Sequence, residues 1–190
     1  MKNFSELPLS PRLQDNLARQ GFVQPTAVQA RAIPPALAGQ DVVATAQTGT
    51  GKTLAFLLPL LQSLMGGSGK GGINALILSP TRELAMQTNE SFTRIAAGTG
   101  IRSAVVVGGM SEAGQLRAVR QGAQVLIATP GRLCDFLDRR LVSLSGVQFF
   151  VLDEADRMLD MGFLPALRAI LKVVPASRQT LLFSATIEQS

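Results

Sequence analysis

The residues best suited to chemistry lie in two short segments, one rich in glycine and one rich in carboxylates. The carboxylate-rich segment is residues 153–156, Asp-Glu-Ala-Asp. In the glycine-rich segment, which comes first along the chain, glycines would let consecutive backbone N–H groups converge on phosphate oxygens. A lysine there would reach the outer phosphates, and a threonine hydroxyl would bind Mg²⁺. The members of this first segment are Ala46, Gln47, Thr48, Gly49, Thr50, Gly51, Lys52 and Thr53.

The glycine-rich segment stands in the context that a phosphate-binding loop requires. A β-branched run at residues 42–44 leads into it, and an apolar helical pattern follows Thr53. The strict motif has glycine where this chain has Ala46, yet Gly49 and Gly51 remain where the loop turns. The alternative is a glycine-rich turn that only caps a helix.

The carboxylate segment follows a second apolar run, residues 149–152. Asp153 would then stand at a strand end and hold Mg²⁺ through water, and Glu154 would orient and deprotonate an attacking water. Alternatively, the carboxylates only favour the N-terminus of the next helix. Beside a phosphate loop, the segment predicts a site that binds and splits a nucleoside triphosphate. Its catalytic residues would be Lys52, Asp153 and Glu154, and its metal ligands Thr53 and Asp153.

A third segment bears on the base of that nucleotide. Thr26 and Gln29 have the spacing of a capping box, in which the glutamine reaches back to the threonine amide. A glutamine amide can also pair with the N6 and N7 edge of adenine. Phe4, seventeen residues before Gly21, could stack on the base. Both interpretations stay open at this point.

Composition restricts the class of protein. A chain of 190 residues with 46% hydrophobic residues suits one globular domain. The apolar run at residues 54–61 is too short to cross a membrane, and the N-terminus lacks an apolar signal core. With Cys134 as the single cysteine and no histidine, the sequence predicts a cytoplasmic protein without disulfides or histidine chemistry.

Positive charge is concentrated in one quarter of the chain. Residues 91–140 contain seven arginines and three carboxylates, a local excess of four in a chain whose net charge is +5. This distribution is typical of solvated helix faces, and also of a surface that contacts the phosphates of a polyanion.

The elements that must position these residues alternate between strands and helices. Near-continuously apolar strands are predicted at residues 42–44, 75–78, 104–107, 125–128, 149–152 and 181–183. Helices are predicted from Ser10 and Pro11 to a stop at Gly21, and over residues 52–64, 82–97, 112–120, 130–138 and 163–173. This rhythm predicts an α/β fold with a doubly wound parallel sheet, helices on both faces and ligands at the carboxyl ends of its strands. Residues 66–72 are predicted to form a surface loop.

On these segments the chain resembles the DEAD-box family of ATP-dependent RNA helicases, along essentially its whole length. Residues 46–53 resemble the family's motif I, in which alanine is usual at the first position, and residues 153–156 spell the motif that names the family. Residues 184–186, Ser-Ala-Thr, resemble motif III. The nucleotide-binding Q motif is matched by Phe4, Phe22, Thr26 and Gln29.

The resemblance implies a RecA-like domain with ATP and Mg²⁺ as cofactors and RNA as partner. The RNA would be held by its backbone, without sequence preference. Ser184 and Thr186 would couple the two sites through Asp156. Arg102 is a weaker candidate for contact with RNA, because it lies outside every motif. The implied RNA-binding residues are Pro80, Thr81, Arg82, Glu83, Gly108, Gly109, Thr129, Pro130, Gly131 and Arg132. Individually, several of these also read as helix caps or turns.

The resemblance also implies organisation beyond this chain. Residues 1–30 would form a Q-motif region packed on a core of residues 31–190, and a second RecA-like domain of the same parent chain would supply the remaining RNA contacts and the arginine fingers. We therefore expect a monomer without membrane contact, whose isolated domain binds ATP or ADP but hydrolyses ATP negligibly. The alternatives are an ATP-dependent RNA clamp or remodeller of RNA–protein complexes, and a DNA translocase, which would not explain Phe4 and Gln29.

Overall fold

The computed structural model describes residues 1–47, 49–67 and 71–186. Its centre is a six-stranded sheet in which every pairing is parallel, in the order β1-β6-β5-β2-β4-β3. The predicted doubly wound α/β fold is therefore confirmed. The strands are β1 (Val42–Thr45), β2 (Ala75–Leu78), β3 (Ser103–Val106), β4 (Val125–Ala128), β5 (Phe149–Leu152) and β6 (Gln179–Ser184).

Helices cover both faces of the sheet. The first four α-helices share one core with a face of the sheet, and the last four share a second core with the opposite face. A short 3-10 helix, Phe4–Glu6, precedes them. The helices are α1 (Pro11–Arg19), α2 (Ala27–Leu37), α3 (Lys52–Gly66), α4 (Arg82–Ile95), α5 (Glu112–Arg120), α6 (Pro130–Asp138), α7 (Ala155–Asp160) and α8 (Leu164–Val173).

Five of the predicted elements have the limits that the structure shows. Strands β2, β4 and β5 and helices α5 and α6 have the predicted limits. Strand β3 begins one residue earlier than predicted, α4 ends at Ile95, and the short helix α7 lies where no helix was predicted. Of the loop predicted at residues 66–72, Gly66 ends α3, and residues 68–70 fall outside the described part of the chain.

Strand β1 departs from the prediction that all strands are covered on both faces. It lies at one edge of the sheet, and its side chains alternate between half-buried and exposed, with Val43 66% exposed. Val42 and Ala44 pack against the core of the first four helices. A run of three apolar residues did not indicate that the second face of this strand is open.

Local sequence explains how the helices before the sheet begin and end. Ser10 accepts a hydrogen bond from the Leu13 amide, and Pro11 occupies the first turn of α1, as predicted. Gly21 has φ of 74°, a conformation that favours glycine, just beyond the end of this helix.

Among the described residues, the structure contains no helix that is both long enough and apolar enough to cross a membrane.

Candidate nucleotide-binding and RNA-binding site

The predicted phosphate loop connects the end of β1 to the start of α3. Gly49 and Gly51 have φ angles of 86° and 92°, in the left-handed region where glycine is favoured. The Thr50 hydroxyl donates to the Gln47 carbonyl at 2.6 Å. Gly51 is the N-cap of α3, so Lys52 is the first helical residue, at the positive end of the helix dipole. Thr48 lies outside the described residues.

The Lys52 ammonium is buried beside the carboxylate segment. Lys52 is 5% exposed, and its Nζ lies 3.8 Å from Oε1 of Glu154. Within the described residues, this ammonium has no hydrogen-bond acceptor. Arg157 approaches the other oxygen of Glu154 at 3.3 Å. A buried cation with unused donors is suited to bind a phosphate, because burying such a group without partners is costly.

Asp153 stands at the end of β5, as predicted, and is 5% exposed. Burial raises the pKa of this carboxyl to about 6, because the attraction of Lys52 offsets only part of the desolvation and Glu154 adds repulsion. Its Oδ1 has no hydrogen-bond partner among the described residues. Glu154 follows with φ of 55°, a left-handed conformation that costs a non-glycine residue energy.

Ser79 is a further buried polar residue at this end of the sheet, and no sequence motif indicated it. Because Leu78 pairs with Leu152 in register, Ser79 lies beside Asp153 at the strand ends. Ser79 is 0% exposed, and its hydroxyl has no hydrogen-bond partner in the described part of the chain. Three buried polar atoms without such partners, on Lys52, Ser79 and Asp153, therefore lie at one end of the sheet. Only the strand register, not the sequence, identifies the third.

Gln29 forms the capping box and reaches the phosphate loop as well. Its Oε1 accepts from the Thr26 amide at 2.9 Å, and its Nε2 donates to the Gly51 carbonyl at 3.1 Å. Gln29 is 3% exposed. A side-chain amide offers two acceptor and two donor positions, so one of each is left for a ligand. The capping-box and adenine interpretations are therefore compatible.

The two predicted aromatic contacts differ in exposure. Phe4 is 2% exposed and packs edge-on against Phe22 with the ring centroids 6.2 Å apart, while Phe22 is 39% exposed. The Phe22 ring is therefore partly exposed to solvent, and the buried Phe4 ring packs against its inner side. Phe22 also lines a cavity of about 320 Å³ together with Gln29, Gly51 and Thr53.

The segments predicted to contact RNA follow strands β2, β3 and β4. Thr81 caps α4 by accepting from the Leu84 amide at 3.3 Å, which places Pro80 and Glu83 at the start of that helix. Arg82 Nη1 donates to the Gly109 carbonyl at 3.3 Å. The segments after β2 and β3 are thereby joined.

Gln115 shapes the segment that contains Gly108 and Gly109. It is 5% exposed, and its amide exchanges two hydrogen bonds with the backbone of Val107, at 2.9 and 3.1 Å. The same Nε2 reaches the Met110 carbonyl at 3.3 Å. Gln115 therefore hydrogen-bonds to both sides of the turn, a role that no sequence motif indicated.

The segment after β4 places Thr129 before α6, with Pro130 in the first turn and Gly131 exposed. Arg132 lies over the Phe136 ring, 5.7 Å from its centroid, in the same helix. Arg102, by contrast, lies at the amino end of β3 and donates to the Gln121 carbonyl at 3.0 Å. The structure therefore places Arg102 at the opposite end of the strands from the other residues predicted to contact RNA.

Asp156 connects the carboxylate segment to the end of β6. Its Oδ2 accepts from the amides of Ala185 and Thr186 at 3.1 and 3.0 Å, and from the Thr186 hydroxyl at 3.0 Å. Desolvation alone would raise the pKa of Asp156, but hydrogen bonds from Thr186 and Arg157 outweigh it, so the pKa is lowered. Ser184 is buried, and its hydroxyl donates to the Thr186 carbonyl.

All these segments share the carboxyl edge of the sheet, where ligands bind in doubly wound folds. The order of the strands divides them. Strands β1, β6 and β5 are neighbours in the sheet. The phosphate loop follows β1, residues 184–186 lie at the end of β6, and residues 153–156 follow β5. The predicted RNA segments follow β2, β4 and β3, which form the other half.

Comparison with known proteins agrees with this arrangement. A family model described as DEAD/DEAH box helicase matches residues 26–190. A protein named ATP-dependent rRNA helicase RRP3 from Meyerozyma guilliermondii is 48% identical over 185 residues, which are 97% of this chain and 38% of that protein. The protein of the same name from Debaryomyces hansenii is 46% identical over 187 residues, which are 98% of this chain and 39% of that protein.

A solved structure leads to the same conclusion. The DEAD box protein from the hyperthermophile Methanococcus jannaschii superposes with a TM-score of 0.92 at 37% identity, covering 99% of this chain and 51% of that one. The chain thus spans about two fifths of these curated relatives and about half of the solved chain. Its sheet has the RecA-like arrangement. The chain belongs to the DEAD/DEAH box helicase family.

Proposed function

We propose that this chain is the ATP-binding and RNA-contacting N-terminal domain of an ATP-dependent RNA helicase. The observation that carries this proposal is the convergence of Lys52, Asp153 and Glu154 at one end of the sheet, with Gln29 fastened to the same loop through Gly51. These groups are suited to a triphosphate at one end and a base at the other.

The base would be adenine. With one donor and one acceptor position left on its amide, Gln29 can pair with the N7 and N6 edge of that base, and guanine presents a different pattern there. Phe22 would stack on the ring from the exposed side. The phosphates would then run along the loop at residues 46–53, over the positive end of α3.

A magnesium ion fits the residues beside the phosphates. Mg²⁺ prefers oxygen ligands, keeps several waters, and is bound through one or two carboxylates and the phosphates of its substrate. The Thr53 hydroxyl would supply a ligand of this kind, and so would Oδ1 of Asp153, which has no hydrogen-bond partner among the described residues. Bound there, the ion would neutralise charge on the phosphate oxygens.

The residues of this chain would do the rest by positioning and by charge. Lys52 would leave its long contact with Glu154 to bind the outer phosphates, since a phosphate is the better partner for its unused donors. Glu154 would then be able to accept a proton from the water that attacks the terminal phosphate. Arg157 would hold this carboxylate in place meanwhile.

The RNA would be bound through its backbone by the segments after β2, β3 and β4. Helix N-termini at Thr81 and Thr129 and the exposed glycines 108 and 109 offer amides and close approach, while Arg82 and Arg132 add charge. Such contacts do not depend on base sequence, and contacts to the 2′-OH would favour RNA over DNA. Asp156 would couple the two halves through residues 184–186.

The parent protein would need a second RecA-like domain for turnover, as the greater length of the relatives allows. An arginine finger typically contributes about 10³–10⁵ in rate, so this chain alone should hydrolyse ATP negligibly. An ATP-dependent RNA clamp or a remodeller of RNA–protein complexes remains the alternative, since it would use the same contacts. We also propose that the protein is a cytoplasmic monomer, with Cys134 as a free thiol.

The test measures ADP and GDP binding to the chain and to two variants. Gln29→Ala should reduce the preference for ADP over GDP about tenfold or more, because a bidentate base contact is worth about 1–3 kcal/mol. Gln24→Ala, which changes an exposed neighbour, should leave the preference intact. An unchanged preference in Gln29→Ala would rule out the adenine assignment. Brisk RNA-stimulated hydrolysis by the chain alone would rule out the need for a second domain.

A further inference from the structure

A cluster of four charged side chains lies within the proposed RNA surface and joins α5 to α6. Arg139 forms a two-point contact with Glu112, at 2.6 and 2.8 Å, and also reaches Asp135 at 3.2 Å. Arg132 lies 3.7 Å from Glu112 and 3.9 Å from Asp135. Two carboxylates therefore face two guanidinium groups, and the cluster as a whole is neutral.

The two arginines are not equivalent in this cluster. Arg139 makes short, aligned hydrogen bonds to Glu112, the strong kind of charge-assisted contact. Arg132 is at a longer distance that supports attraction without a hydrogen bond. The hydrogen bonds from Arg139 also hold the pKa of Glu112 below its ordinary value, so this carboxylate stays charged. Glu112 thus reduces the positive potential at Arg132 but leaves its donors available.

We propose that Glu112 sets the strength of RNA binding by competing with phosphate for Arg132, and that Arg139 limits this competition by holding Glu112. The proposal rests on the proposed function, in which Arg132 contacts the RNA backbone. Glu112 starts α5, soon after the turn containing Gly108 and Gly109, so its charge lies beside the path assigned to phosphate. A fixed negative charge there weakens binding of a polyanion regardless of base sequence.

The two variants Glu112→Gln and Arg139→Gln should act in opposite directions. Without the Glu112 charge, a single-stranded oligouridine should bind about threefold more tightly at about 25 mM salt, with a steeper dependence on salt. Without Arg139, Glu112 is free to turn fully to Arg132, so binding should fall further than the loss of one distant positive charge explains.

Matched controls separate this effect from a general change in charge. Glu90→Gln removes one negative charge from the exposed face of α4, and Arg140→Gln removes one positive charge beside Arg139. Arg140 makes no ion pair in the part of the chain that the structure describes. Glu112→Gln should change the affinity for oligouridine more than Glu90→Gln does, and Arg139→Gln should change it more than Arg140→Gln does. All four variants should retain their affinity for ADP, which would show that the nucleotide half of the sheet is intact.

A double-mutant comparison tests whether Arg132 mediates the effect. In the Arg132→Gln background, Glu112→Gln should strengthen binding no more than Glu90→Gln does, because its target is gone. The proposal is overturned if Glu112→Gln and Glu90→Gln are equal in the wild-type background, or if the gain survives without Arg132. If the wild-type chain binds no oligouridine at low salt, the RNA half of the proposed function fails as well, and the two failures are thus distinguishable.

Discussion

Replacing Gly51 with alanine should disturb the nucleotide site through one identifiable contact. A Cβ built at this position would lie 2.3 Å from Nε2 of Gln29 and 3.3 Å from Oγ1 of Thr26. Gln29 is 3% exposed and cannot move aside without breaking its hydrogen bonds to the Gly51 carbonyl and the Thr26 amide. The substitution should therefore displace the glutamine amide.

The magnitude follows from two additive effects. The left-handed φ of 92° should cost an alanine about 1–2 kcal/mol, because its Cβ crowds the following carbonyl. Loss of the two Gln29 hydrogen bonds should add about 1 kcal/mol each. Gly49→Ala is a matched control, because Gly49 has a φ of 86° but, in the described part of the chain beyond its two neighbours, no atom lies within 4 Å of where its Cβ would stand. We expect destabilisation of about 1–2 kcal/mol for the control and about 3–4 kcal/mol for Gly51→Ala.

Two assays check this expectation. Urea unfolding without nucleotide gives the free energies of unfolding, and competition between ADP and GDP gives the base preference. Gly51→Ala should lose most of the preference for ADP, whereas Gly49→Ala should bind both nucleotides more weakly but keep their ratio. Equal destabilisation by the two substitutions, or an unchanged ratio in Gly51→Ala, would refute the reasoning that Gln29 is displaced.

Three further predictions concern individual side chains. In the unfolded chain Asp153 has its ordinary pKa of 3.8, and in the folded chain about 6, so its stabilising contribution is lost as pH rises through this window. Asp153→Asn should therefore raise the free energy of unfolding by up to about 3 kcal/mol near neutral pH in the presence of a chelator, and little at acid pH; equal gains at both would contradict this. Asp156→Ala should accelerate amide hydrogen exchange at Ala185 and Thr186, which lose their acceptor, while that of β4 stays slow. Burial raises the pKa of the Cys134 thiol, so iodoacetamide should alkylate it slowly until urea unfolds the chain; fast alkylation of the folded protein would show that the thiol is accessible.

The sequence predicted most of the fold because parallel strands covered on both faces leave a distinct pattern. Residues 75–78, 125–128 and 149–152 are apolar throughout, and the structure buries them almost completely. The position of a strand in the sheet leaves no such pattern, because it depends on which helices pack beside it. The apolar residues of β1 therefore gave no sign that this strand forms an edge.

The site was less accessible to sequence reasoning where it depends on neighbours in space. Ser79 and Gln115 belong to no chemical motif, and their roles come from strand register and from a turn that closes on a buried amide. The seventeen-residue spacing of Phe4 could not distinguish a ring that faces a ligand from one that supports Phe22. The spacing of Glu112 from Arg132 likewise gave no indication of their ion pair.

The local and functional interpretations of several motifs need not exclude each other, and the reason is geometric. Gln29 closes a capping box with one side of its amide, which fixes the orientation of the side that a base would meet. Thr81 likewise caps α4 and thereby orients the free amides of its first turn. Asp156 occupies the first turn of α7 and binds the end of β6. The hydrogen bonds that stabilise the fold are thus the same ones that position the groups assigned to ligands. If the nucleotide binds at the ends of β1 and β5 as proposed, Asp156 would link it directly to residues 184–186, at the end of the strand that lies between these two.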